Sequence, residues 1–281
     1  MSENNPFENN ERSNQRANER KIPAAWADNP FKAPDAHVED VRAAVGDAAL
    51  ADEPNSVSAG RGTAWISEGW SLFREAMGLW IGIALAFIVI LFGLGLIPIL
   101  GQIANYFLGT VFAAGLMLGC RSLDQGEGLR FDHLFAGFQK NFGQLLLVGL
   151  LYLAGIVVVM LVIFVVFGSA LVGMFVGRMS SGFSMSTFVL AMLVAMGLSI
   201  PLMMSIWFAP ALVVLNDMPA FAAMKLSFRG CLRNILPFLV YGIVLFILAI
   251  VASIPIGLGW LLLMPTLICA TYVSYREIFL A

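Results

Sequence analysis

Ionisable side chains become scarce in this sequence once its first quarter has passed. Of 34 charged residues, 16 Lys/Arg and 18 Asp/Glu, 21 fall within residues 1–78 and only 13 are spread over 79–281. Charged residues are 12% of the whole and apolar residues 59%, whereas a soluble domain is about a quarter charged and under half apolar. One core cannot hide that much apolar surface. Histidine and cysteine are scarcer still. The two histidines, His37 and His133, and the three separated cysteines, Cys120, Cys231 and Cys269, show no zinc or redox spacing. A net charge of −2 excludes a basic nucleic-acid surface. No secretory leader is expected ahead of the membrane part. The first long apolar run begins at Leu79, so the first span is expected to act as the insertion signal and the tail to stay in the cytosol.

What is present is apolar and comes in membrane lengths. A helix crossing the hydrocarbon core needs about 20 such residues. Six runs qualify, 79–99, 103–120, 144–167, 187–209, 235–256 and 258–274, and none holds Asp, Glu, Lys, Arg or His. The first two meet at Ile97-Pro98-Ile99-Leu100-Gly101 and the last two at Ile254-Pro255-Ile256-Gly257, where proline and glycine permit a tight reversal. Joining either pair into one helix would need about 40 residues, twice the bilayer's thickness. Fifteen of the 16 Lys/Arg lie on the tail's side: 8 in 1–78, 3 in 121–143, 3 in 210–234, and Arg276. Arg178 alone is opposite. The bias predicts cytoplasmic amino and carboxyl termini.

A short amphipathic stretch precedes each helix pair. The apolar stripes are Ile66, Trp70, Phe73, Met77; then Phe131, Phe135, Phe138, Phe142; then Met224, Phe228, Cys231, Ile235. Their common i, i+4, i+7, i+11 spacing is one helix face. The other faces carry Glu68, Arg74 and Glu75, then His133, Gln139 and Lys140, then Lys225, Arg229 and Arg233. Such elbows are expected to lie in the cytoplasmic interface, rings down and charges up. They make Trp70, Phe73, Arg74, Phe135, Phe138, Lys140, Phe228, Arg229 and Arg233 the candidate interfacial or partner-binding residues. Lys140-Asn141 and Arg233-Asn234 are followed at equal distance by Gly149 and Gly242. The predicted fold is an all-α membrane protein: a disordered tail over 1–60 and a six-helix domain over 61–281. The domain divides into three parallel elbow-plus-hairpin repeats, about 64–127, 129–219 and 220–281. Gly168 to Ser186, rich in glycine, serine and methionine, is expected to be a connector, with a re-entrant segment as the alternative.

Ala209-Pro210-Ala211-Leu212-Val213-Val214-Leu215-Asn216-Asp217, with Ala223, Ser227-Phe228-Arg229 and Arg233-Asn234, resembles a large group of bacterial membrane proteins. These share a Pro-Ala-Leu-x-x-x-acidic segment, an Ala, a Ser-aromatic-basic elbow and a basic-Asn pair. Here Asp217 comes slightly later than that pattern asks. The group includes the membrane domain attached to some glycerophosphodiester phosphodiesterases, whose soluble catalytic domain has no counterpart in this sequence. The layout over about 28–281 also resembles an uncharacterised proteobacterial six-helix inner-membrane family. The matching features are an Asn-Pro-aromatic tail before Ala59-Gly60-Arg61-Gly62, Trp65 and Phe73-Arg74. The resemblance implies the bacterial inner membrane and no particular activity.

Chemistry has few carriers. No ionisable residue inside the spans marks an ion or proton path, and Ser71, Asp132, His133 and Asp217 form no nucleophile–base set. Asp132 reads as a helix N-terminal residue favoured by the dipole. Asn105, Ser199, Ser205 and Thr266 are the candidates for a pore lining, although hydroxyls more often bond their own helix. Gly78 with Gly82 and Gly115 with Gly119 have the spacing of close helix packing. In the tail, Asn5-Pro6-Phe7 and Asn29-Pro30-Phe31 repeat one tripeptide, either a docking motif or two chance turns. The expectation is therefore a non-enzymatic scaffold or accessory component with no cofactor. Its partners would be membrane lipids and, through tail and elbows, another membrane or cytosolic protein. A transporter of a neutral or lipid-like substrate is the alternative.

Overall fold

The structure is a computed structural model that describes residues 49–98, 100–175 and 185–281. Both Asn-Pro-Phe motifs (Asn5, Pro6, Phe7; Asn29, Pro30, Phe31) lie outside the described residues. Among the described residues nine α-helices follow in order: α1 (Arg61–Glu75), α2 (Met77–Gly95), α3 (Leu100–Asp124), α4 (Phe142–Phe175), α5 (Met185–Trp207), α6 (Ala209–Asn216), α7 (Ala220–Arg233), α8 (Ile235–Ser253) and α9 (Trp260–Phe279). A 3-10 helix, Phe131–Phe138, sits between α3 and α4. No strand occurs among the described residues.

Five helices among the described residues are long and apolar enough to cross a membrane: Met77–Gly95, Ile103–Asp124, Phe142–Gly168, Phe188–Asn216 and Ile235–Ser253. The sixth predicted run became α9, which is as long as a span but less apolar, because it carries Thr266, Thr271, Ser274, Arg276 and Glu277. Helix also occupies both ends of the expected connector, through Phe175 and from Met185. Gly168 and Gly173 suggested a loop, yet a helix tolerates glycine at about 1 kcal/mol each when Val, Leu and Phe surround it.

The elbows join their spans through a shared bend. α1 ends at Ala76 (φ −136°, ψ 40°) and α7 at Asn234 (φ −122°, ψ 36°), which occupy the same place in their stripes. Each then accepts the first turn of the next helix, from Trp80 N and Phe238 N. The third such position, Asn141, takes φ 55° and accepts from Leu145 N. At the far end of the last hairpin, Ile256 (φ 53°) and Gly257 (φ 80°) make the predicted Pro-Gly reversal.

Each elbow packs mainly on the returning helix of another hairpin rather than its own: the 3-10 helix on α3, α7 on α5, and α1 on α9. Glycines set the spacing. A Cβ on Gly137 would stand 2.0 Å from the Val111 carbonyl oxygen, and one on Gly69 2.6 Å from Ala270 N. Gly115 and Gly119 meet the 3-10 helix in the same way, through His133. Gly78 and Gly82, by contrast, have open space beside them, so only the second glycine pair packs helices within the chain.

The core lies at the tail-side ends of the helices. Trp65, Phe73, Trp80, Phe208, Leu212, Tyr275 and Phe279 are buried there, and α6 is buried from Ala209 to Val214. Along the apolar stretches, 53% of α3 is buried, against 6% in α4 and 0% in α5. α3 is thus a central post, while α4 and α5 present apolar surface outward.

Candidate functional site

The densest polar constellation gathers at this tail-side base, where three chain segments that are distant in sequence are tied together. Residues 49–57, expected from composition to belong to the disordered tail over 1–60, instead form a strap along the carboxyl end. Ala51 N donates to Phe279 O at 2.8 Å, Asn55 N to Ile278 O at 2.7 Å, and Ala281 N to Ala49 O at 3.0 Å. Asn234 locks the strap from the other side. Its Oδ1 accepts from Val57 N at 2.9 Å and its Nδ2 donates to Asn55 O at 2.8 Å. The side chain is buried, and a buried amide is tolerated where its bonds are made. Arg233, next to it, pairs with Glu53 at 2.9 Å.

Glu277 is the next junction. It accepts from Arg61 Nε at 2.6 Å and from the Trp65 indole at 2.6 Å, while Arg61 also reaches Glu68 at 2.8 Å. The Glu277 hydrogen bond, supported by Glu68, raises the Arg61 guanidinium above its ordinary value. A third junction joins α3 to α9. Arg276 donates to both oxygens of Asp124 at 2.6 and 2.7 Å, and Tyr272 OH to the same carboxylate at 3.1 Å. Charged pairs this sheltered hold geometry as much as they supply stability.

The middle hairpin is attached by amides and a hydroxyl. Asn141 Nδ2 donates to Val213 O at 2.9 Å and to Asp217 at 2.7 Å, and Gln144 Oε1 accepts from Ala220 N at 2.8 Å. Buried Ser227 accepts from Phe208 N at 3.0 Å and donates to Met204 O at 2.7 Å. It thereby satisfies backbone groups where α5 gives way to α6. Tyr275 OH bonds Asn216 Oδ1. These are structural bonds in a clamp, with no nucleophile–base pair among them.

The interfacial candidates divide. Phe73 is wholly buried, so it belongs to the core and not to the bilayer interface. Trp70, Phe135 and Phe138 are exposed; Phe138 stacks on Phe142 at 5.6 Å and meets Phe112 edge-on at 5.5 Å. Arg74 and Arg229 are exposed, Phe228 is half-buried, and Lys140 lies 3.5 Å from Asp217. Ser71 is exposed and joins none of these bonds. Asp132, in the first turn of the 3-10 helix, pairs with Arg130, whose hydrogen bond holds its carboxyl below the usual range. His133 Nδ1 accepts from Arg130 N at 3.1 Å, and burial lowers the His133 pKa.

The pore candidates do not converge. Ser205 and Thr266 hydroxyls bond their own helices at Pro201 O and Leu262 O, both as expected of hydroxyls in apolar helices. Ser199 is exposed on α5, and Asn105 Oδ1 is buried without a partner. Apolar clefts open instead between successive hairpins. One of about 260 Å³ lies between α2 and α9 (Trp80, Pro265), one of about 660 Å³ between α3 and α4 (Phe107, Leu147), and one of about 590 Å³ among α5, α7 and α8 (Trp207, Gly242). A fourth, of about 660 Å³, lies under α1 against α8 and α9 and takes in Thr266. Sequence reasoning missed the strap and the clefts. The strap's signal was Asn55 with Asn234, whose partners are far away in sequence.

A probable inner membrane protein of Burkholderia thailandensis is 29% identical to this chain over 252 residues, covering 79% of this chain and 92% of that protein. No protein-family model matches the chain, and no solved structure matches it. With its apolar helices of spanning length, the chain is a multi-pass membrane protein.

Proposed function

We propose that the protein is a non-catalytic scaffold or accessory component of the bacterial inner membrane. It has six spans, both termini on the cytoplasmic side, and three elbow-plus-hairpin units closed into a ring. One observation carries the reading: the polar ties are concentrated at the tail-side base, while the spans beyond it turn apolar faces outward and, among the described residues, gather no polar path. That is the construction of a rigid platform, not of a conduit.

α9 serves as the sixth span. Its 20 residues extend about 30 Å, the thickness of the hydrocarbon core. Its polar groups are tied to α1 and α3 or to its own carbonyls. The ring is supported by the elbow exchange and by the shared bend at Ala76 and Asn234. Orientation rests on the basic residues of the tail side. Exposed Trp70, Arg74, Phe135, Phe138 and Arg229 form the face offered to a partner.

Crosslinking in cells followed by purification is expected to recover one protein in stoichiometric amount, and proteoliposomes to show no solute or lipid flux. Flux that depends on the intact protein would refute the scaffold. A carrier of a lipid-like substrate is the second reading, favoured by the apolar clefts between hairpins.

A further inference from the structure

We propose that the cleft among α5, α7 and α8 is a specific site for an anionic glycerophospholipid of the tail-side leaflet. Two of its lining residues are glycines with room beside them. A Cβ on Gly197 or on Gly242 would meet nothing within 4 Å, and both residues line the cleft. The equivalent of Gly242 in the middle unit is Gly149, where a Cβ would stand 3.2 Å from the Phe107 ring. Gly242 has no such neighbour. Pro201 adds to the opening, because it has no N–H to give the Gly197 carbonyl and bends α5 at that level.

The dimensions suit an acyl chain in one leaflet. From Gly197 to Trp207 the cleft follows ten residues of α5, about 15 Å, half of a hydrocarbon core of roughly 30 Å. Its lining is almost wholly apolar, with Trp207 among the residues at its tail-side end.

Charge defines the headgroup. α7 contributes Phe228 and Leu232 to the cleft and carries Lys225, Arg229 and Arg233 with no acidic residue. Arg233 is occupied by Glu53. Lys225 and Arg229, one turn apart and exposed, make no ion pair among the described residues. Two unpaired, exposed cations on a helix that lines an apolar slot match a phosphodiester headgroup that carries net negative charge. A zwitterionic lipid would bring its own cation to the same place.

The site does not depend on the scaffold reading, since lipid capture and partner recovery are separate measurements. The test uses the full chain, purified and delipidated in neutral detergent, with native mass spectrometry after adding phosphatidylglycerol or phosphatidylcholine. One phosphatidylglycerol per chain is expected to be retained in preference to phosphatidylcholine. Lys225→Gln and Arg229→Gln should each reduce that preference about fivefold, the worth of one basic residue near an anionic surface. Gly242→Leu should abolish retention of both lipids while leaving thermal stability unchanged; Gly197→Leu, on the facing helix, repeats the test should the first fail to fold. Equal binding of the two lipids by the unaltered protein overturns the headgroup assignment. Unchanged retention in both leucine variants overturns the site.

Discussion

Substituting Gly137 by alanine tests where this protein keeps its core. The 3-10 helix lies so close to α3 that the new Cβ would stand 2.0 Å from the Val111 carbonyl oxygen and 3.2 Å from Gly115 N. Carbon and carbonyl oxygen ordinarily stay about 3.3 Å apart or more, so the 3-10 helix must withdraw by on the order of 1 Å. Withdrawal loosens Leu134, which is wholly buried, and separates His133 from Gly115. Overpacking of this kind costs about 1–3 kcal/mol, which lowers Tm by about 2–10 °C in a chain of this size. The control is Gly82→Ala, also in a helix but with open space at its Cβ, where the substitution should stabilise by about 0.5–1 kcal/mol through helix propensity. Thermal unfolding of both variants in mild detergent, followed by tryptophan fluorescence, gives opposite signs if the base is the core. Equal Tm for Gly137→Ala and the unaltered protein would show that α3 and the 3-10 helix do not approach as described.

Asn234→Ala removes the two Asn234 side-chain bonds to the strap and leaves Val57 N–H unpaired; a loss of about 1–3 kcal/mol is expected, with limited proteolysis cutting first within residues 49–57. Asp124→Ala deprives Arg276 and Tyr272 of their common acceptor and should cost about 2–4 kcal/mol, whereas Asp132→Ala, on an exposed pair, should be near neutral. Stability should also fall on acidification. The His133 pKa is lowered in the folded protein, so the unfolded chain takes up the proton first, and stability present above the unfolded value of about 6.5 is lost as pH drops through the folded one. His133→Gln should flatten that slope, and an unchanged slope would exclude the assignment. Reporter fusions at residue 281 and near Arg178 should show opposite activities; equal activities would refute the proposed orientation.

What the sequence determined alone is the part governed by solvent. Apolar runs without charge must leave water, and their lengths and proline-glycine breaks were enough to place the helices of Met77–Gly95, Phe142–Gly168 and Ile235–Ser253 within a few residues. The elbow stripes were likewise visible as a period, and Asn141 and Asn234 as a recurring position. Periodicity could not say what each stripe faces. Phe73 and Trp70 lie on one stripe, yet Phe73 is core and Trp70 is exposed, because α1 packs on α9 from the other end of the chain. The same limit hid the strap and the Glu277 junction, whose partners are more than two hundred residues apart. It also hid the vacancy beside Gly242, which Gly149 shares in sequence and lacks in structure. Hydropathy acts residue by residue, so it can be read along a line. Close approach and pairing belong to surfaces brought together from distant segments, and only the tertiary structure decided them.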